Sequence, residues 1–111
     1  MAYDETLAAQ IRELTADEPG LTERKMFGGL AFLIRGNMAV AASGQGGIMV
    51  RVDPQESETL VEKTNAHHMV MRGSPMRGWL RVAPEHLRPG RELASWVELG
   101  MACARSLPVK R

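Results

Sequence analysis

The sequence is short of several things at once, and each shortage closes off a class of explanation. One cysteine, Cys103, stands alone in 111 residues, so no intramolecular disulfide can form and a multi-cysteine metal cage is excluded. Apolar stretches are broken every few residues by Gly, Arg or Asn, and none approaches the roughly 20 residues that cross a bilayer. The first residues do not pair a cationic segment with an apolar core in the manner of a secretory leader, which points to the cytoplasm. Neither charge sign prevails: fourteen Lys and Arg face thirteen Asp and Glu, for a formal charge of +1. A dedicated nucleic-acid module is expected to be strongly basic, so any basic surface here must be local. Aromatics are few as well, two Trp, two Phe and one Tyr, and bulky volume falls partly to eight methionines, of which those at 26, 38, 49, 69, 71, 76 and 101 read as an adaptable binding surface or, as is commoner, as filling for an irregular core.

What is present suffices for a folded domain. With 44% hydrophobic and 24% charged residues the chain can bury a core and stay in solution. The length fits one domain, expected over 1–108 with 109–111 as a short tail and no room for a second unit.

The order of elements follows from where the hydrophobic period changes. Over about 4–16, Leu7, Ile11 and Leu14 recur at i, i+4 and i+7 among polar residues, the mark of an amphipathic helix. Pro19 and Gly20 stop it, and 21–25 read as a connector. Two short apolar runs, 29–35 and 38–42, are joined by Gly36-Asn37, a hairpin signal because both residues tolerate positive φ. A third run, 48–52, follows Ser43-Gly44-Gln45-Gly46-Gly47. That loop precedes neither Lys-Ser/Thr nor a helix, so it reads as a hairpin loop and not a phosphate cradle. Asp53-Pro54-Gln55-Glu56 has the N-cap, first-turn proline and capping-box chemistry to open a helix reaching about Lys63. Runs 68–72 and 78–82, linked by Gly73-Ser74-Pro75, predict two more strands, and Pro84 and Pro89 precede a helix over 91–106. Leu93, Val97, Gly100 and Ala104 align on that helix with Trp96 on the flank, and the mid-helix Gly100 signals either close packing or a weakened helix. The order α-βββ-α-ββ-α predicts an α+β two-layer sandwich, a five-stranded antiparallel sheet with helices on one face.

Arg24-Lys25-Met26-Phe27-Gly28-Gly29 after an amphipathic helix, then Val50-Arg51-Val52-Asp53 and Met76-Arg77-Gly78-Trp79-Leu80-Arg81-Val82, resembles the TfoX N-terminal domain family, which includes the amino-terminal part of the Sxy competence regulators. The resemblance runs over about 3–107, with Met26-Phe27-Gly28 after a basic residue its most specific piece. It implies a secretion-chaperone-like α+β fold and a regulatory role. In the competence regulators a carboxy-terminal helical domain follows, and the whole protein assists a cyclic-AMP receptor protein at competence promoters. Transcriptional activity belongs to that two-domain form, and no catalytic residue set comes with the family. Trp79 stands where relatives often carry Tyr or Phe, which keeps the aromatic ring without a hydroxyl's hydrogen bond.

Alternation along a strand puts Trp79 and Arg81 on one face and Leu80 and Val82 on the other. If Leu30, Phe32, Ile34, Val40, Val50 and Val52 face the helices, then Ala31, Leu33, Ala39, Ala41, Met49 and Arg51 line the open face. A face so apolar implies a covering protein partner or a second copy in a homodimer. The partner-binding candidates are Arg24, Lys25 and Phe27, two cations beside an aromatic, and Trp79 with Arg81, a stacking and charge pair. Arginines also crowd 72–91, and a second reading makes Lys25, Arg72, Arg77 and Arg81 an anion- or nucleic-acid-binding patch, with Arg88 and Arg91 nearby. Plainer alternatives stand beside both: solvated surface charge, Phe27 as core, and an Arg81 stem lying over a half-buried Trp79. His67 and His68 diverge on an extended segment, so no metal site is expected, and Cys103 reads as a small core residue. No catalytic residue and no cofactor is assigned, because no nucleophile and base share a local frame and no cofactor fingerprint occurs. The expectation is a cytoplasmic, non-enzymatic regulatory module that binds a protein, with nucleic-acid binding second and a small-molecule binder or enzyme third.

Overall fold

In the computed structural model, which describes residues 3–26, 28–71, 73–87 and 91–109, three helices back one face of a six-stranded antiparallel sheet. The first helix, α1 (Glu5–Leu14), opens on Asp4, whose Oδ1 accepts hydrogen bonds from the backbone N–H groups of Thr6 at 2.9 Å and Leu7 at 3.2 Å. Those bonds satisfy two of the donors that every helix start leaves free. Its buried stripe is Leu7, Ala8, Ile11 and Thr15, while Leu14, expected inside, is 41% exposed. Thr15 can take the inner place because its Oγ1 donates to the Ile11 carbonyl at 2.9 Å, so no polar atom is stranded.

The expected connector after α1 is a strand, β1 (Leu21–Met26), which brings the count to six. It has no apolar period to betray it: Thr22, Glu23, Arg24 and Lys25 are all exposed, as suits a charged edge that resists pairing with other chains. β2 (Gly29–Ile34) and β3 (Asn37–Ala42) are joined by Arg35-Gly36, one residue earlier than the sequence suggests, with φ of 51° and 87°. Both central residues of this hairpin turn are left-handed, as its twist requires. Asn37 starts β3 instead, held by an Nδ2 bond to the Pro108 carbonyl at 2.8 Å. β4 (Ile48–Arg51) follows the Ser43 to Gly47 loop, which is the hairpin loop expected.

The second helix, α2 (Ser57–Lys63), begins later than the capping pattern suggests. Asp53 Oδ1 accepts from Gln55 N at 2.9 Å and closes a turn of its own, so no capping box forms. β5 (His67–Met71) and β6 (Ser74–Val82) follow, and β6 starts four residues before the predicted 78–82. After a 3₁₀ turn at Pro84–His86 comes α3 (Arg91–Arg105), whose Leu93, Trp96, Val97, Gly100 and Ala104 are buried as predicted. The sheet order is β1-β2-β3-β4-β6-β5, so β4 pairs with β6 and β5 is the second edge.

The main core lies between helices and sheet, where Ile11, Leu93 and Val97 meet Phe32, Val40, Val50 and Leu80. Each such fully buried side chain contributes about 1.5–3 kcal/mol. Gly100 resolves its two readings in favour of close packing, since a Cβ there would stand 2.3 Å from the Ala39 carbonyl oxygen. Ala39, expected on the open face, belongs to this core. The pairing of β2 with β3 shifts register between Phe32 and Leu33, which face Val40 and Met38, and Ala39 is the extra residue of that bulge. Among the described residues no helix is long and apolar enough to cross a membrane.

Candidate functional site

Cross-strand partners trace one row over all six strands of the open face: Arg24, Ala31, Ala41, Met49, Arg81 and His67. A parallel row on the helix side runs Glu23, Phe32, Val40, Val50, Leu80 and His68. Directly paired residues share a face and neighbours along a strand do not, so the two rows separate cleanly. His67 and His68 diverge, as expected.

The open face is not the bare apolar surface the alternation implies. Ala31, Leu33, Ala41 and Met49 form a second small cluster, only 1–6% exposed, with Met26, Met38 and Met69 packed against it. Small residues in the middle of the row are shielded by longer ones around them. What meets solvent is therefore a layer of methionine and arginine side chains with Trp79.

Arg51 and Trp79 are direct partners on β4 and β6, and the Arg51 guanidinium carbon lies 4.5 Å from the centre of the Trp79 ring. A cation over an aromatic at this distance is worth about 0.5–1 kcal/mol at a half-exposed site. Arg81 shares the face with Trp79 as predicted, but its Nη1 donates to Ser43 Oγ at 3.0 Å and does not stack. That bond ties β6 to the β3–β4 loop. Arg24, Arg51 and Arg81 have no carboxylate partner among the described residues.

Other expected site residues do not join them. Lys25 sits opposite Leu30 in the row that continues through Ala42, Ile48 and Val82, so it is on the helix side, away from Arg24. Three strands lie between β1 and β6, about 19 Å at the usual strand spacing. Arg77, two residues before Trp79, extends its Nη2 to 3.5 Å from the Pro54 carbonyl, toward the turn before α2. Lys25, Arg77 and Arg81 consequently form no common anion patch. Phe27, Arg72 and Arg88 lie outside the described residues.

Charge is divided between the layers. All thirteen Asp and Glu lie in the helices, in the turns beside them or, for Glu23, on the helix side of β1. Arg12 donates to Glu23 through Nε at 2.7 Å and Nη2 at 2.9 Å, and Arg105 binds Glu18 at 2.6 Å and Glu98 at 3.0 Å. Hydrogen bonds from these guanidinium groups hold the Glu23 and Glu18 carboxyls below the usual carboxylate range. Cys103 is half-buried rather than core, and desolvation pushes its thiol up, away from the reactive thiolate. It lines a cleft of about 430 Å³ with Pro54, Leu60, Leu99 and Leu107, and a second of about 500 Å³ contains Lys63, Glu85, His86, Arg91 and Glu92. Among the described residues no three His, Cys, Asp or Glu side chains converge as a metal site.

The place of Met26 on the open face escapes a reading of the sequence that treats 21–25 as a connector. Once Leu21–Met26 is a strand, Met26 follows Arg24 onto the open face by simple alternation.

A helix-backed antiparallel sheet with an open cationic face, built on this order of elements, is the class to which the fold belongs. The family model of the TfoX N-terminal domain matches residues 13–104, and the chain belongs to that family. Comparison with curated proteins and with solved structures returns no match.

Proposed function

We propose that the protein is a non-enzymatic regulatory module that docks a protein partner on the open face of its sheet. The observation that carries this reading is the face itself: Arg24, Arg51 and Arg81 with Met26, Met38 and Met69 and, among the described residues, no carboxylate on it and no helix over it. Methionine surfaces adapt to varied apolar side chains, and a half-buried Trp beside Arg is the composition of an interface anchor. Membership of the TfoX N-terminal domain family is consistent with a regulatory or competence-related role.

Nucleic-acid binding is the second reading, favoured by Arg24, Arg51, Arg81 and Trp79 on a single face. It is weakened by the near-zero net charge and by the dispersal of Lys25 and Arg77 away from that face.

The test is affinity capture from the host lysate, with and without nuclease, comparing the native protein with a Trp79→Ala, Arg81→Ala double variant. A nuclease-resistant partner lost in the variant, whose circular dichroism and melting are nearly unchanged, is the expected result. A partner kept by the variant contradicts the docking face, and enrichment that vanishes with nuclease favours nucleic acid.

A further inference from the structure

We infer that the segment received by this face is an acidic amphipathic helix of a partner protein, an inference that rests on the docking role just proposed. Two features of the face select that chemistry together. Its cations come from three separate strands, Arg24 on β1, Arg51 on β4 and Arg81 on β6, while every carboxylate of the chain lies in the other layer or on its side. A polyanionic segment is thus drawn to one side of an almost neutral molecule and repelled from the other. Between the cations the buried floor is Ala31, Ala41 and Met49, and the surrounding side chains include the flexible Met26, Met38 and Met69. A methionine surface accepts apolar side chains of varied shape. Acidic residues on one flank and apolar residues on the other match both features at once. Arg24 and Arg81 are about 19 Å apart across the strands, which a helix of about 13 residues spans.

The competing occupants fit less well. A second copy docked face to face would set Arg24, Arg51 and Arg81 against the same three arginines, with no acid to separate them. A single-stranded nucleic acid needs aromatic platforms for its bases, and the one aromatic partner-binding candidate placed on this face, Trp79, already carries Arg51 over its ring. Methionines contribute nothing to a phosphate backbone.

The experiment is a fluorescence-anisotropy titration of the whole protein with three labelled probes. One is a Glu/Leu peptide of about 18 residues patterned as an amphipathic helix, one is its scramble of equal composition, and one is a single-stranded RNA of similar length. The patterned peptide is expected to bind about tenfold tighter than the scramble, and more weakly as salt rises. Arg24→Glu should weaken it about fivefold or more. Lys25→Glu makes the same change in net charge one residue along, on the opposite face, and should alter affinity less than about twofold. Melting curves of both variants establish that each is folded. Equal binding of peptide and scramble, equal loss in the two variants, or preference for the RNA would each overturn the inference. If the patterned peptide does not bind while the lysate partner is still lost in Trp79→Ala, Arg81→Ala, the acidic chemistry falls and the docking face stands. If that partner is retained, the docking face falls as well.

Discussion

Arg105, in the last turn of α3, reaches two carboxylates at once, Glu18 in the turn after α1 and Glu98 two turns earlier on its own helix. The Glu18 side chain is only 12% exposed, and Arg105 keeps it ionised below the usual carboxylate range. Because the folded chain resists protonation there, the unfolded chain binds its proton first as pH falls. The stability Glu18 adds is therefore complete above about pH 5 and is lost as pH drops through its lowered value. Glu23, held by Arg12, acts in the same direction. A thermal melt series from about pH 6 to pH 3 should show Glu18→Gln losing less midpoint than the native protein over that interval. Identical slopes would mean that the Arg105 pair is screened to nothing by solvent. Single residues were the scale at which the sequence was hardest to read. Leu14 and Thr15 exchange places because a threonine that bonds its own helix can be buried, a fact no hydropathy pattern contains.

At the scale of elements, α3 and β3 come into close contact at Gly100, under the Ala39 bulge. An exposed mid-helix Gly→Ala change stabilises by about 1 kcal/mol, but here the new Cβ meets a backbone oxygen that has no room to retreat. Gly100→Ala is expected to destabilise by about 2 kcal/mol or more in urea unfolding at neutral pH. Unchanged or raised stability would show that α3 can lift off the sheet without cost. Both α1 and α3 were legible as helices because their apolar stripes follow the 3.6-residue period, and β2 to β4 because their apolar runs are bounded by glycine. β1 was not, since an edge strand of Thr, Glu, Arg and Lys buries nothing that leaves a pattern. The bulge at Ala39 was invisible for another reason: strict alternation assumes an unbroken register. Trp79 and Arg81 could be placed on one face from alternation alone. The stacking of Arg51 on Trp79 could not, because β4 pairs with β6 across the intervening α2 and β5.

For the molecule as a whole, the division of charge between layers says more than its total. A formal charge of +1 conceals a helix side holding all thirteen acids and a sheet face on which arginines have no carboxylate partner among the described residues. Methionines supply built-in reporters of that face: Met26, Met38 and Met69 surround its central cluster, while Met101 is buried under α3. The measurement that tests the docking face most directly is a methyl NMR spectrum of methionine-labelled protein, recorded as the lysate-captured partner is added to saturation. The Met26, Met38 and Met69 methyl signals are expected to shift or broaden while Met101 stays in place. Saturated binding that leaves those three signals unmoved would contradict it.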